Sequence, residues 1–263
     1  MNETNPTPPR IPTSQSAIAS AAGPVPVVSY ANYEDSMRPT LPPLGEAPEE
    51  REPIPNPIGA VEAILRQPRR LIYQLRQPGA GRLVAAMLFV AALCALVYGV
   101  VVGTFSMGNQ LWAAPVKIAG GLLLSGFICL PSLYIFNCLS GSQARLGEIV
   151  GLVAGMLMLM TLLLVGFAPV AWLFSQSTDS VAWMGTLHLI FWLIAAFFGL
   201  RFLGTGFAYS HARSTAGLNT WIVVFLLVAM QMTTALRPLV GKSTDLLPKD
   251  KQFFVTHWVE CLK

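Results

Sequence analysis

A handful of polar side chains stand inside or at the ends of apolar runs: Lys117, Tyr134, Asn137, His188, Gln231 and Arg237. Any chemistry this chain performs within a membrane falls to them, because a polar group costs free energy in lipid and is kept there for a reason. An imidazole titrates near neutrality and can carry a proton or ligate an ion, so His188 is the first candidate; its alternative is a neutral ring hydrogen-bonded to a neighbouring helix. The amides of Asn137 and Gln231 suit the lining of a solute path. Lys117 and Arg237, at the ends of apolar runs, can reach out to water or to lipid phosphates, cap helix ends or flank an entrance. Pro131 lacks the N–H that would continue a helical ladder, which frees a carbonyl that Ser132 or Tyr134 could satisfy.

Several chemistries are missing. The apolar runs contain neither Asp nor Glu, so the intramembrane carboxylate on which coupled transporters and pumps ordinarily rely is absent. HExxH, GxSxG, Walker and GxGxxG patterns do not occur, so neither an enzyme nor a bound cofactor is expected. Cys94, Cys129, Cys138 and Cys261 form no CxxC pair and read as small apolar residues, not as metal ligands or disulfide partners.

The elements that must position these groups follow from hydropathy. The chain is 54% hydrophobic and 11% charged, with a mean hydropathy of +0.57, which is a membrane composition. Five apolar runs, Leu83 to Thr104, Ile118 to Leu139, Ile149 to Phe174, Val181 to Leu200 and Thr220 to Leu236, approach the roughly 20 residues that a bilayer core requires. The expected fold class is all-α: a five-span membrane bundle over residues 83–240, with Pro131 and Pro169 as sites of bending.

Glycines recur every four residues at Gly147, Gly151 and Gly155, and again at Gly99 and Gly103. Small residues let helices approach closely where lipid removes the hydrophobic drive. These faces serve packing within the chain or, alternatively, a homo-oligomer.

Charge divides the N-terminal region in two. Residues 1–60 hold thirteen of the twenty prolines and carry three arginines against seven acids, net −4; such a segment is expected to be a disordered or extended tail. It has no apolar stretch of a signal peptide behind Met1. Its PxxP at Pro39 to Pro42 and its tyrosines beside acids suit either a partner-docking segment or a plain spacer.

Residues 61–82 reverse the sign, with Arg66, Arg69, Arg70, Arg76 and Arg82 against Glu62, net +4. The doubled motif LRQPRRLIYQLRQP (65–78) spaces Val61, Ile64, Leu65, Pro68, Ile72 and Leu75 in steps of mostly three and four. Pro68 should divide it into two short amphipathic helices, and Pro78 with Gly79 should end the second. The expected placement is on the inner leaflet, apolar stripe toward lipid and arginines on anionic headgroups. Nucleic acid is not an expected partner, because no water-exposed basic domain accompanies the arginines. At the other end, KDKQFFVTHWVECLK within residues 241–263 reads as an interfacial helix, or as a small docking helix.

Basic residues in the short flanks set orientation. Eight fall on the side of the N-terminus and six on the other, and those nearest the first run are all on the first side, which predicts the N-terminus in the cytoplasm.

Three blocks, APVKIAGG (114–121), LPSLYIFNCLSGS (130–142) and QMTTALRPLVG (231–241), resemble a functionally uncharacterised family of bacterial polytopic inner-membrane proteins with Pro-Leu-Lys, Pro-Ser-Leu-Tyr-x-Phe-Asn and Gln-Met-x-Trp-x-Leu-Arg-Pro-Phe-x-Gly blocks. Thr234 and Leu239 depart from that pattern where it has Trp and Phe. The resemblance implies a multi-pass location in the bacterial inner membrane. The layout of a Pro-rich tail before five spans is also similar, by topology alone, to Yip-type organising proteins. From these features the chain is expected to be a non-enzymatic scaffold or assembly subunit whose partners are the bilayer and another protein or a second copy; the alternative is a channel or facilitator for a small solute or lipid.

Overall fold

In the computed structural model the described residues are 42–106, 110–142, 144–177, 181–210 and 216–235. They form eight helices and no strand: α1 (Pro48–Arg51), α2 (Pro57–Arg66), α3 (Pro68–Leu75), α4 (Gly81–Ser106), α5 (Gln110–Leu139), α6 (Leu146–Ser177), α7 (Val181–Ala208) and α8 (Ala216–Ala235). Four of these, α4 to α7, are long and apolar enough to cross a membrane, and by that measure this is an all-helical, multi-pass membrane protein. The apolar part of α8, Ala216–Met232, is shorter than the other four.

The helix α6 is central. It packs on α4, α5, α7 and α3, and 67% of its apolar window is buried against 28–33% for the other three long helices. Large side chains such as Phe89, Leu93, Val97 and Val100 on α4, or Phe127 and Ile128 on α5, point outward. Their three- and four-residue spacing on α4 marks a lipid-facing stripe. α8 packs on α5 at the rim. Inside the bundle, buried hydroxyls bond their own helix: Thr161 donates to the carbonyls of Leu157 and Met158 at 3.0 Å, and Ser125 to that of Gly121 at 2.7 Å.

The glycines are used within the chain. A Cβ on Gly99 would fall on the backbone of Pro115 in α5, one on Gly155 would meet the ring of Phe202 in α7, and one on Gly151 would meet Leu75 of α3. Gly103 is buried on the same helix as Gly99. Gly147 lies in open space, so the expected three-glycine face serves two separate contacts and leaves its first member unused.

The helix α5 begins eight residues before the apolar run read from sequence, at Gln110 instead of Ile118. Lys117 is therefore inside the helix and 6% exposed, not at a span end. The apolar run starts late because Pro115 and Lys117 lower local hydropathy, whereas the backbone stays helical through both.

Three short helices close one end of the bundle. Each opens on a proline, Pro48, Pro57 or Pro68, where the missing N–H is one that no intrahelical carbonyl would have used. Gln67, at φ −137° and ψ 61°, separates α2 from α3, so Pro68 divides the doubled motif as its sequence predicts. The apolar stripe turns toward the bundle instead of lipid. Ile64, Ile72 and Leu75 of the stripe, with Leu71 beside it, are each at most 3% exposed within the common core; Val61 is half-buried, and Leu65 (54%) and Pro68 are exposed. Burial on α4 and α6 competes with insertion into lipid for the same surface, and here the helix surfaces take it.

Candidate functional site

Beneath these helices the arginines meet acids of their own chain. Residues 43–60, expected as part of a disordered or extended tail, instead fold back as a strap across α3. Arg69 donates from Nε to Glu50 Oε1 at 2.6 Å and from a terminal nitrogen to the Pro43 carbonyl at 3.1 Å. Its guanidinium lies 5.7 Å from the ring centroid of Tyr209, just past the end of α7, a cation–π distance. The other oxygen of Glu50 accepts the Gly45 N–H at 2.5 Å, and Arg51 donates to the Gly45 carbonyl at 2.6 Å. Gly45 has φ +87°, which a side chain would strain, and Tyr73 covers its α-carbon.

The second arginine is held as fully. Arg70 bonds the carbonyls of Glu52 at 3.1 Å and Pro53 at 3.2 Å, and pairs with the Glu52 carboxylate at 3.2 Å. Gln74 donates to three successive carbonyls, those of Glu50, Arg51 and Glu52, at 3.1–3.3 Å. These are C-terminal carbonyls of α1 and its cap, which a four-residue helix leaves without internal donors. Arg76 reaches Glu148 on α6 at 3.9 Å. Arg66 pairs with Glu62 one turn back at 3.1 Å in solvent, and Arg82 is exposed on the first turn of α4.

Electrostatics favour this arrangement. Burial by itself would raise the Glu50 carboxyl, but the Gly45 N–H and Arg69 outweigh it and hold the group below its ordinary value of 4.5. The hydrogen bond that Arg69 donates to Glu50 in turn raises the Arg69 guanidinium. The placement on anionic headgroups expected for these arginines is thereby replaced, for Arg69, Arg70 and Arg76, by partners within the chain. The physical reason is the charge split along the sequence: a net −4 segment precedes a net +4 segment, with prolines to fold one upon the other.

Asn137 and His188 are not brought together. Asn137 lies two residues from the end of α5, at the end of the bundle closed by the collar of α1 to α3, and His188 lies twenty residues from that end of α7; at 1.5 Å per residue they are roughly 25 Å apart along the bundle. His188 accepts from, or donates to, the Tyr98 hydroxyl of α4 through Nδ1 at 2.7 Å, with the rings edge-on at 5.7 Å. It thus takes the arrangement of a ring bonded to a neighbouring helix. Asn137 is 4% exposed, and among the described residues its side-chain amide has no hydrogen-bond partner. Gln231 is half-buried on α8, and Arg237 lies outside the described residues. A small cavity of ≈ 10 Å³ beside Leu75, Arg76, Glu148, Gly206 and Ser210 would hold about one water.

Pro131 sits within α5. The carbonyl that Pro131 leaves without its helical donor is that of Phe127; the Ser132 hydroxyl and the Trp221 indole N–H of α8 bond the Cys129 carbonyl instead, each at 2.8 Å. Tyr134 is 38% exposed on the outer face of α5.

Glu50, Gly45, Gln74, Tyr98, Glu148 and Trp221 were not among the residues singled out by sequence. For Glu50 a signal existed in the equal and opposite charge of neighbouring segments; a lone Tyr or Trp within an apolar run carries none. Among the described residues no group of three or more His, Cys, Asp or Glu could hold a metal ion. Comparisons with protein-family models, with curated proteins and with solved structures return no match for this chain.

Proposed function

We propose that this is a non-enzymatic scaffold or assembly subunit of a bacterial inner membrane, with its N-terminus in the cytoplasm, five spans in the bilayer and a proline-rich tail that recruits a protein partner. In this reading α8 is the fifth span, residues 1–42 are the extended tail, and the likeness of the three sequence blocks to the bacterial polytopic family marks common descent. The observation that carries the reading is the collar. Glu50, Arg69 and Tyr209, with Arg76 and Glu148, tie the segment that follows the tail to the ends of α6 and α7, a mount for a recruiting segment. The bond of His188 to Tyr98 of a neighbouring helix supports scaffold over channel, because it commits the imidazole to a helix–helix contact.

The test is cross-linking in native membranes of the full chain and of a variant lacking residues 1–42, which keeps the strap. A discrete cross-linked partner that disappears on deletion supports the reading. A monomer in both cases refutes it.

A further inference from the structure

We infer that the α3 arginine face is a binding site for anionic phospholipid headgroups, and that the strap of residues 45–53 occupies it in cis as a displaceable competitor. This inference does not depend on the scaffold reading.

The strap, with Pro43 just before it, presents oxygens to Arg69 and Arg70: the carbonyls of Pro43, Glu52 and Pro53 and the carboxylates of Glu50 and Glu52. A phosphodiester headgroup offers the same chemistry, negative oxygens that match the guanidinium fork. Apolar anchoring is confined to the strap's two ends, where Leu44 and Ile54 pack against the core. Between those anchors the contacts to α3 that bear on displacement are polar, the Gln74 amide bonds among them. The middle of the strap can therefore lift while both ends stay attached, with the turn at Gly45 (φ +87°) as one hinge.

Position favours lipid over other anions. Arg66, Arg69, Arg70 and Arg76 lie five to fifteen residues before Gly81, the first residue of α4, and basic residues so close to a span meet the headgroup layer of the anionic leaflet. The Tyr209 ring beneath Arg69 holds the guanidinium in place whether its anion comes from the strap or from lipid. In a zwitterionic bilayer the strap is the better ligand, being tethered and hence at high effective concentration. In an anionic bilayer the headgroups are more numerous, and the strap is displaced.

The experiment compares hydrogen exchange of residues 43–53 in the full chain, reconstituted in nanodiscs of phosphatidylcholine or of phosphatidylglycerol. The expected result is protection of the Gly45 amide in phosphatidylcholine and exchange about tenfold faster in phosphatidylglycerol, with α3 protected in both. Glu50→Gln should expose the strap in both lipids and remove the difference, while protection of α3 reports that the collar is still folded. Equal strap protection of the wild-type chain in the two lipids overturns the inference, and that comparison requires no variant. Release in phosphatidylcholine by a soluble acidic peptide, without release by phosphatidylglycerol, also overturns it by assigning the face to a protein ligand.

Discussion

Replacing Gly99 with alanine places a methyl group where the backbone of Pro115 already stands. The new Cβ would fall on the Pro115 α-carbon and 2.9 Å from its nitrogen. Neither atom can turn aside as the end of a side chain could, so α4 and α5 must move apart by about 1 Å to restore van der Waals contact. Overpacking of this kind costs ~1–3 kcal/mol. Alanine also gains up to ~1 kcal/mol over glycine in a helix interior. A second variant, Gly120→Ala within α5, removes that term from the comparison, because nothing lies within 4 Å of the added methyl and only the propensity gain should remain. Gly99→Ala should therefore unfold earlier than Gly120→Ala by ~1–3 kcal/mol in denaturant titrations of the two proteins in one detergent. Coincident unfolding curves would refute the close approach of α4 to α5.

Trp221→Phe keeps the stacking on Phe225 but removes the buried indole donor to the Cys129 carbonyl. A loss of ~1 kcal/mol in the same titration is expected. Asn137→Leu should leave stability unchanged or raise it, since the amide is buried without partners among the described residues and desolvation of such a group is unfavourable; a loss above ~2 kcal/mol would show that the amide is bonded. The Glu50 carboxyl titrates below its ordinary 4.5 in the folded chain. Its contribution is thus complete above that value and disappears as pH falls through the folded one. Protease sensitivity of residues 43–53 should stay flat from neutral pH down to about 5 and rise below 4.5; a rise near pH 6 would assign the transition to another group.

Much of the bundle is legible in the sequence because a run of some 20 apolar residues has few other destinations. The starts of α4, α6 and α7 fall within a few residues of the runs that predict them. Lys117 shows where such reading fails: hydropathy falls at Pro115 and Lys117, yet the helix continues because Gly99 admits the proline ring and the bundle covers the lysine. The collar was half legible. Periodicity located α2 and α3 and the break at Pro68, but an amphipathic face does not state whether it meets lipid or protein. The strap was least legible, since short acidic proline-rich stretches ordinarily lack the apolar surface to fold. What orders this one is a set of charged partners nineteen or so residues away, such as Arg69 for Glu50. The Tyr98–His188 bond joins helices 90 residues apart in the chain, and no local pattern encodes it.

The association of the acidic strap with α3 is tested most directly by a double-mutant cycle of Glu50→Gln and Arg69→Gln, read as the free energy of local opening of residues 43–53 by hydrogen exchange in a phosphatidylcholine bilayer. A part-buried, charge-assisted bond of 2.6 Å predicts a coupling of about 1–2 kcal/mol between the two substitutions. Effects that add to within ~0.3 kcal/mol would mean that the carboxylate and guanidinium do not meet, and would contradict the fold of the collar.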